Sequence, residues 1–194
     1  MFFILANMDL DEERELVRQA QKVPMAFAQL YDLYYPKIFG YALRRSANVE
    51  AAQDITSETF LKALGKLWQF RWRNVSFSSW LYKIATNEVN QYFRKAVYKK
   101  SVSLEELQEQ GFELLSTHDP ENELIEAEEE IKRHQDYLEV QQRILLLPAK
   151  YQEVITLRFF EKKQIKEIAE ILGKREGTIK SLLHRAVEKL RETE

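Results

Sequence analysis

Aromatic and basic residues are concentrated in one short stretch of the chain, residues 68–80. Three Trp, two Phe and two Arg fall within these thirteen residues. Exposed aromatic rings stack on unpaired bases and Arg side chains bind phosphates, so this composition suits single-stranded nucleic acid better than a duplex. The ligand that it implies is a flipped or melted base.

The same aromatic residues have an alternative role in the core of the flanking helices. Helical spacing favours the core for Trp68, and it leaves Phe77 and Trp80 compatible with either role. Trp72 lies between two arginines and off any apolar stripe, so it fits a core least well. It is therefore the clearest candidate for stacking on a base.

Polar and basic residues continue along the segment that follows. Lys83 lies one helical turn before Asn87, whose amide can hydrogen-bond a base edge. Arg94-Lys95 and then residues 99–100, both Lys, extend the basic strip. This extension is expected to contribute mainly salt-dependent affinity for phosphates.

Residues 164–185 have the spacing of a helix-turn-helix. Ala169 is small where two helices must cross closely, and Gly173 can adopt the positive φ of a tight turn. Apolar residues expected to fill the space between the two helices are Ile168, Leu172, Ile179 and Leu182.

The outer face of the second of these helices is polar and basic, as expected of a helix that reads the major groove. The alternative is a plain helical hairpin, in which Gly173 only caps a helix and the basic residues are solvated. The residues predicted to contact duplex DNA are Arg175, Thr178, Lys180, Ser181, His184 and Arg185.

Helical periodicity predicts the elements that position these residues. Apolar residues recur at intervals of three and four over 26–43, 52–67 and 77–97, and again over 151–160, 164–172 and 176–191. Pro36 makes the first stretch either one kinked helix or two short ones. No stretch has the alternation of a strand, so we expect an all-α fold.

The charge distribution divides the chain. Residues 1–70 and 71–100 carry net charges of −1 and +6, residues 101–140 carry −11, and residues 141–194 carry +4. Two basic blocks around an acidic stretch indicate two anion-facing modules joined by a linker. We therefore predict two small helical domains, residues 1–100 and 141–194, joined by an acidic, partly helical linker at 101–140.

Several classes of protein are excluded by composition. The chain has no Cys, which excludes disulfides, thiolate metal sites and thiol redox sensing. Di-iron helical enzymes need paired Glu-x-x-His motifs, and none of His118, His134 and His184 lies three residues after a Glu. There is no phosphate-binding Gly-rich loop and no nucleophile elbow. We expect no catalytic residue, no metal and no cofactor. The apolar start of the chain is too short for a signal peptide or membrane span, so we expect an intracellular protein.

Three segments in this order resemble a bacterial sigma-70 family factor of the extracytoplasmic-function (ECF) group. They are 54–63 (DITSETFLKA), 77–87 (FSSWLYKIATN) and the helix-turn-helix set that begins at Leu147-Pro148 and runs to Leu190. The resemblance implies that the first module is the family's region two and the last is its region four. It also implies that the function is to bind core RNA polymerase and direct it to promoters.

The resemblance assigns roles by position. The helix with Asp54, Glu58, Phe60 and Lys62 matches the surface that docks on the clamp coiled coil of the largest polymerase subunit, with Ser57 where Gln is common. The outer face of the last helix matches the minus-thirty-five reader, and the flap of the second-largest subunit is a further implied contact. The residues that match or extend the surface that opens the minus-ten element are Arg71, Trp72, Arg73, Phe77, Trp80, Lys83, Asn87, Arg94 and Lys95.

The sequence thus favours an alternative sigma factor that binds core polymerase and promoter DNA and helps to melt the minus-ten element. Members of the family are often restrained by an anti-sigma factor, which is a further partner that the resemblance allows. We expect a cytoplasmic protein, associated with the nucleoid when bound to polymerase. The alternative is a helix-turn-helix regulator that works without polymerase, with residues 25–100 as a ligand or dimer domain.

Overall fold

A computed structural model of the chain describes residues 10–72, 76–100 and 139–192, with side chains to residue 95 in the second range. All regular structure in these ranges is helical, and they contain no strand. The expected all-α class is confirmed. None of the helices in these ranges is long and apolar enough to cross a membrane.

The first module, residues 10–100, contains four α-helices and two short 3-10 turns. These are α1 (Leu10–Lys22), a turn at Pro24–Ala26, α2 (Phe27–Ser46), α3 (Val49–Lys66), a turn at Leu67–Gln69, and α4 (Phe77–Lys100). Helix α1 was not predicted from the sequence. Helix α2 runs through Pro36 as one helix, which decides between the two alternatives for that stretch.

Local residues end α2 and begin α3. Ala47 adopts a left-handed conformation, with φ 52°, and its N–H bonds the carbonyl of Leu43. Asn48 then caps α3, since its side-chain oxygen accepts a hydrogen bond of 2.7 Å from the N–H of Ala51. This cap satisfies a helix N–H that has no partner inside the helix. The two helices are thereby folded back against one another.

Apolar residues from all four helices form the core of the first module. Leu30, Ile38, Tyr41, Phe77 and Leu81 have no measurable exposure. Tyr41 also makes polar contacts there, 2.9 Å to the hydroxyl of Thr86 and 3.3 Å from Arg45, which is itself fully buried. The tight packing fixes the relative positions of α2, α3 and α4.

The second module, residues 139–192, holds the remaining helices. Helix α5 covers 139–146, α6 covers Ala149–Ile155 and continues into a π-helical turn at Thr156–Phe160, α7 covers Ile165–Leu172, and α8 covers Glu176–Arg191. The last three elements confirm the predicted helical stretches. Helix α5 begins the described part of this module at residue 139, and residues 101–138 of the predicted linker lie outside the described ranges.

Helices α7 and α8 form the expected helix-turn-helix. Gly173 has φ +63° and ends α7, and the N–H of Lys174 bonds the carbonyl of Ala169 at 2.9 Å. Ile168 and Ile179 are completely buried between the helices. The predicted role of the glycine is confirmed, because only a residue tolerant of positive φ fits this turn without strain.

Candidate polymerase and nucleic-acid interfaces

One face of α3 is exposed and carries the predicted polymerase residues Asp54 and Glu58. Lys62, from the same set, is half-buried and binds Glu88 of α4 at 2.5 Å, with Glu58 at 3.9 Å. The ion pair with Glu88 ties α3 to α4. Lys62 therefore helps to hold the helix in place, in addition to any contact with a partner.

Phe60 does not share this exposure. It is 4% exposed, and its ring lies 4.7 Å from that of Tyr31 and 6.3 Å from those of Phe27 and Tyr35. The expectation that Phe60 itself touches polymerase is corrected by this burial. Its ring instead fixes α3 on α2.

Three large apolar residues on α3 and the turn after it are exposed instead: Leu61 (64%), Leu64 (44%) and Trp68 (65%). Leu64 falls within the apolar periodicity that predicts a helix over 52–67, and helical spacing favours the core for Trp68, yet both side chains are exposed. Positions 54, 58, 61, 65 and 68 share one helical face. Clustered exposed apolar side chains mark interaction surfaces. We call Asp54, Glu58, Leu61 and Trp68 the docking face.

The aromatic residues around the 68–80 stretch form one ring cluster. Phe70 lies 5.7 Å from Phe77, 5.1 Å from Trp80 and 6.0 Å from Trp72. Phe77 is fully buried, so the expectation that it contacts DNA is corrected: it supports the rings around it. Trp72 and Trp80 are each partly exposed. Arg73 lies outside the described residues.

Basic and polar side chains next to this cluster are exposed. Arg71 donates from one guanidinium nitrogen to the carbonyls of Trp68 (2.7 Å) and Phe70 (3.2 Å), which fixes its position. Lys83 and Asn87 point outward from α4, one turn apart. Arg94 and Lys95 are exposed further along the same helix. The structure thus brings Trp72, Arg71 and α4 to one side of the first module.

The second module presents its predicted residues outward. Arg175, Thr178, Lys180, Ser181, His184 and Arg185 are all exposed. Four of them and Glu188 line one shallow depression on α8. The imidazole of His184 lies 3.2 Å from Glu188. The predicted outward orientation of the α8 residues is therefore confirmed, whereas their roles at DNA stay predictions.

The two modules contact each other, which the sequence did not predict. Arg44 on α2 binds Glu161 after the π-helical turn at 2.8 Å, and the guanidinium lies 5.4 Å from the ring of Phe160. Tyr82 on α4 donates its hydroxyl hydrogen to the same Glu161. Burial first, and then this carboxylate, raise the pKa of Tyr82.

A second set of polar contacts joins α4 to α7 and its approach. The ammonium of Lys163 donates to the hydroxyl of Ser78 at 2.7 Å and lies 5.0 Å from the ring of Tyr82. The hydroxyl of Ser79 donates to Glu167 at 3.2 Å. Lys37 on α2 is near as well, and burial together with the charge of Lys163 lowers its pKa. We call this arrangement of the two modules the closed form.

Comparison with known proteins agrees with this geometry. Residues 30–97 match the family model of sigma-70 region 2, and residues 137–190 match that of sigma-70 region 4. The ECF sigma factor SigW of Bacillus subtilis is 34% identical over 179 residues, which cover 92% of this chain and 94% of SigW. The chain belongs to the ECF group of the sigma-70 family. It is an alternative sigma factor, in agreement with the resemblance seen in its motifs.

Other relatives of this sigma factor support the same conclusion. The ECF sigma factor BldN of Streptomyces coelicolor is 33% identical over 186 residues, which are 95% of this chain and 67% of BldN. The fold is also that of two solved structures. CnrH, solved in complex with the cytosolic domain of CnrY, has a TM-score of 0.67 at 19% identity, with 93% and 96% of the two chains covered. RpoE of Bartonella quintana, solved with the anti-sigma factor NepR, has a TM-score of 0.63 at 24% identity, with 86% and 94% covered.

The three surfaces expose different chemical groups. Within the described ranges, no group of three or more His, Cys, Asp or Glu side chains is arranged to hold a metal ion. What the surfaces offer is one acidic and apolar face, one aromatic and basic face, and one basic helix. These suit a protein partner, unpaired bases and duplex phosphates, respectively.

Proposed function

We propose that this sigma factor binds core RNA polymerase through the docking face of α3, with the clamp coiled coil of the largest subunit as the partner. The observation that carries this proposal is the composition of that face. Leu61 and Trp68 are exposed beside the carboxylates of Asp54 and Glu58. Carboxylates repel DNA phosphates, so a face of this kind suits a protein surface.

The first module also engages the minus-ten element, through basic, polar and aromatic side chains in place of acidic ones. Lys83 and Asn87 on α4 contact the DNA strand, and unpaired bases stack on the partly exposed rings of Trp72 and Trp80. Each stacked base contributes about 1 to 3 kcal/mol. A few captured bases, added to the polymerase contacts, offset the local unpairing of the duplex. The factor thereby acts by binding, without catalytic chemistry of its own.

Helix α8 supplies the minus-thirty-five contact. Its exposed residues Lys180, Ser181, His184 and Arg185 enter the major groove, and Arg175 at its N-terminus binds a phosphate. The flap of the second-largest polymerase subunit is the expected support for this module. The distribution of charge supports both roles, since residues 141–194 carry a net charge of +4.

The closed form is incompatible with simultaneous contact at both elements. Elements centred about 25 base pairs apart are separated by about 85 Å of B-form DNA. In the closed form α4 and α7 are joined directly by the contacts of Ser78 and Ser79, and α8, with 16 residues, is only about 24 Å long. The modules must therefore separate on the promoter. Residues 101–138 have a maximum reach of about 130 Å, which is sufficient.

An anti-sigma factor is a further proposed partner. The similarly folded RpoE was solved with one, and a protein bound over the docking face or α8 would keep this factor from polymerase or promoter. Because its proposed partners are polymerase and promoter DNA, we place its action in the cytoplasm, at the nucleoid once holoenzyme has formed.

Co-elution with bacterial core polymerase in size-exclusion chromatography tests the proposal. Glu58→Arg with Leu61→Ala changes two exposed residues of the docking face. The matched control is Glu15→Arg with Leu10→Ala on α1, where both side chains are also exposed. We expect the control to co-elute like wild type and the docking variant to elute alone, with unchanged circular dichroism for both.

The opposite result would favour the second candidate, a regulator that works without polymerase. In that result, wild type forms no complex with core polymerase from the source bacterium or a close relative, and the protein alone binds duplex DNA tightly. The helix-turn-helix by itself is compatible with that role, so the docking face decides between the two.

A further inference from the structure

The ring cluster around Phe70 stands on two backbone segments, 70–72 and 77–80. Helix α1, to which the sequence analysis gave no role, is bonded to the first of them. The side-chain amide nitrogen of Gln21 donates to the carbonyls of Leu67 and Phe70, both at 2.9 Å. The N–H of Phe70 bonds the same Leu67 carbonyl at 3.1 Å. Gln21 therefore holds the tight turn from which this segment starts.

The second segment is bonded to α1 through Glu13. One carboxylate oxygen of Glu13 accepts the N–H of Ser78 at 3.1 Å and also the hydroxyl hydrogen of Tyr34 on α2. Glu13 is only 4% exposed. A buried carboxylate needs hydrogen bonds to compensate for its lost hydration, so these two donors fix where it lies. Burial, and then the charge of Glu13, raise the pKa of Tyr34, which keeps the phenol in its donor form.

The N–H of Ser78 belongs to the first turn of α4, where N–H groups have no partner inside the helix. Ser76 meets this need locally, because its hydroxyl oxygen accepts the N–H of Ser79 at 3.1 Å. Glu13 adds a second acceptor from 65 positions away, and a negative charge is favourable at a helix N-terminus. The turn that is fixed in this way carries Trp80, one of the two partly exposed tryptophans of the cluster.

The spacing between the two contacts is set by α1 itself. Glu13 and Gln21 are eight residues apart, which is about 12 Å along an α-helix. Val17 and Ala20 lie between them and are 3% and 4% exposed, so this face of α1 is packed on the rest of the module. A packed, hydrogen-bonded helix keeps its length. One rigid element therefore holds the two segments of the ring cluster at a fixed separation.

A fixed separation matters because binding must otherwise order the site. Groups that become ordered only on binding lose conformational freedom at that moment, which reduces the affinity gained from each stacked base. Trp72 lies on the first segment and Trp80 on the second. Rings on two separate segments can act together on one strand only if both segments keep their places.

We infer that Gln21 and Glu13 are positioning residues for the opening of the minus-ten element. They act through α1, which holds the two segments of the ring cluster in place before DNA arrives, and they need no contact with DNA themselves. The inference rests on the proposed function, since the promoter is the DNA that is opened. It gives α1 a role beyond the stability of the fold, and the two roles predict different results.

Single-round run-off transcription by the full-length factor with core polymerase tests the inference. The variant is Gln21→Met, which keeps the length of the side chain and removes its donor. The matched control is Gln19→Met on the same helix, where the exposed amide bonds the exposed Glu15 at 3.5 Å. Both are assayed on one promoter that the wild-type holoenzyme uses, first as a full duplex and then with a mismatched, pre-melted minus-ten element.

The two templates should separate positioning from stability. On the duplex we expect Gln21→Met to yield about 5- to 20-fold less transcript than wild type, within the effect of losing one stacked base. On the pre-melted template the loss should be less than about 2-fold, because stacked bases no longer have to offset unpairing. Gln19→Met should match wild type on both. Equal losses on the two templates, or wild-type yield from Gln21→Met on the duplex, would overturn the inference.

Amide hydrogen exchange in the free protein, measured by NMR, is a second readout. Gln21→Met should speed exchange at the N–H of Phe70 by about 3-fold or more, because the turn loses a bond. Glu13→Gln should do the same at the N–H of Ser78 by about 3-fold or more, since an amide oxygen is a weaker acceptor than a carboxylate. The matched controls are Gln19→Met and Glu15→Gln. Unchanged exchange at both sites in the two variants would overturn the fixing of the segments by α1.

These outcomes are distinguishable from those of the co-elution test. If wild type forms no complex with core polymerase, the proposed function fails and the role of α1 at the promoter fails with it. Faster exchange in the variants would in that case still show that α1 holds the ring cluster. If wild type co-elutes with polymerase and Gln21→Met opens the duplex normally, the sigma factor stands and only the positioning role is lost.

Discussion

Arg44 and Glu161 form an ion pair of 2.8 Å between residues 117 positions apart, and this pair joins the two modules of the factor. The side chain of Glu161 is only 5% exposed. The same carboxylate accepts the hydroxyl hydrogen of Tyr82. One carboxylate of the second module therefore accepts hydrogen bonds from side chains on two helices of the first. Its removal leaves both donors, Arg44 and Tyr82, without this acceptor.

Glu161→Gln is expected to shift the factor from the closed form to an open one. A hydrogen bond to a charged group contributes about 1.5 to 3 kcal/mol, so the equilibrium should move by about 10- to 150-fold. The chain has no native Cys, so dyes can be placed specifically at Gln53→Cys and Glu192→Cys. We expect lower energy transfer in Glu161→Gln than in the parent, whereas Glu170→Gln on α7 should match the parent.

The closed form should be lost at alkaline pH. In the closed form, burial and then the carboxylate of Glu161 raise the pKa of Tyr82 above its usual value of about 10, and the contribution of Glu161 ends when the modules separate. A pKa raised in the closed form stabilises that form fully below pH 10 and ceases to do so as pH rises above it. Energy transfer measured from pH 8 to 11.5 should therefore fall above pH 10.

Tyr82→Phe is the control for that titration. It should be less closed at neutral pH, because the bond to Glu161 is gone, and its energy transfer should change less above pH 10. Lys37 acts in the opposite sense: its lowered pKa favours the closed form as pH rises toward 10.5. Burial also raises the pKa values of Tyr34 and Tyr41 in the first module. Circular dichroism must therefore stay constant over the pH range used. If Tyr82→Phe shows the same fall in energy transfer as the parent, the assignment of the transition to Tyr82 is contradicted.

Phe60→Ala should lower stability and Trp68→Ala should lower polymerase binding, although both residues are aromatic and both belong to the α3 segment. Phe60 is buried, so its truncation should cost about 3 to 5 kcal/mol of folding free energy, visible in urea denaturation. Trp68 is 65% exposed, so its truncation should leave stability within about 0.5 kcal/mol. Only Trp68→Ala should weaken the polymerase complex while the protein remains folded. A stable Phe60→Ala protein that fails to bind polymerase would contradict this division.

Two glycines of the helix-turn-helix should respond differently to alanine. Gly173→Ala forces an alanine into φ +63° and should destabilise the second module by about 1 to 2 kcal/mol. Gly177→Ala, inside α8 and with open space around its Cα, should stabilise it by up to about 1 kcal/mol. Thermal denaturation of the full chain compares them. A loss of stability at Gly177 as large as at Gly173 would contradict the backbone explanation, because an added Cβ meets open space at both positions.

The helix-turn-helix could be predicted from sequence because its determinants are local. Gly173 at the turn and Ile168 and Ile179 at helical spacing specify the motif within a dozen residues. On α3, by contrast, periodicity marks apolar positions but does not say which of them a neighbouring helix covers. For that reason the sequence could not show that Leu64 and Trp68 are exposed while Phe60 lies under the rings of α2.

The contacts between modules had no signal in the sequence. Arg44, Tyr82 and Glu161 are ordinary polar residues of amphipathic helices, and only the three-dimensional structure brings them together. The same holds for Gln21 of α1, whose partners are backbone carbonyls of residues that follow it by more than 40 positions. Pairing between polar groups distant in sequence leaves no periodic pattern to detect.

The π-helical turn at Thr156–Phe160 makes the direction of Glu161 depend on a single residue. The N–H of Glu161 bonds the carbonyl of Thr156, five positions earlier, so the turn holds one residue more than an α-helical turn would. Deleting the exposed Phe159 would restore α-helical spacing and rotate everything beyond it by about 100° relative to α6. Arg44 and Tyr82 would keep their places and lose their acceptor. A one-codon deletion could thus convert a factor that closes on itself into one that stays open, with every contacting residue still encoded.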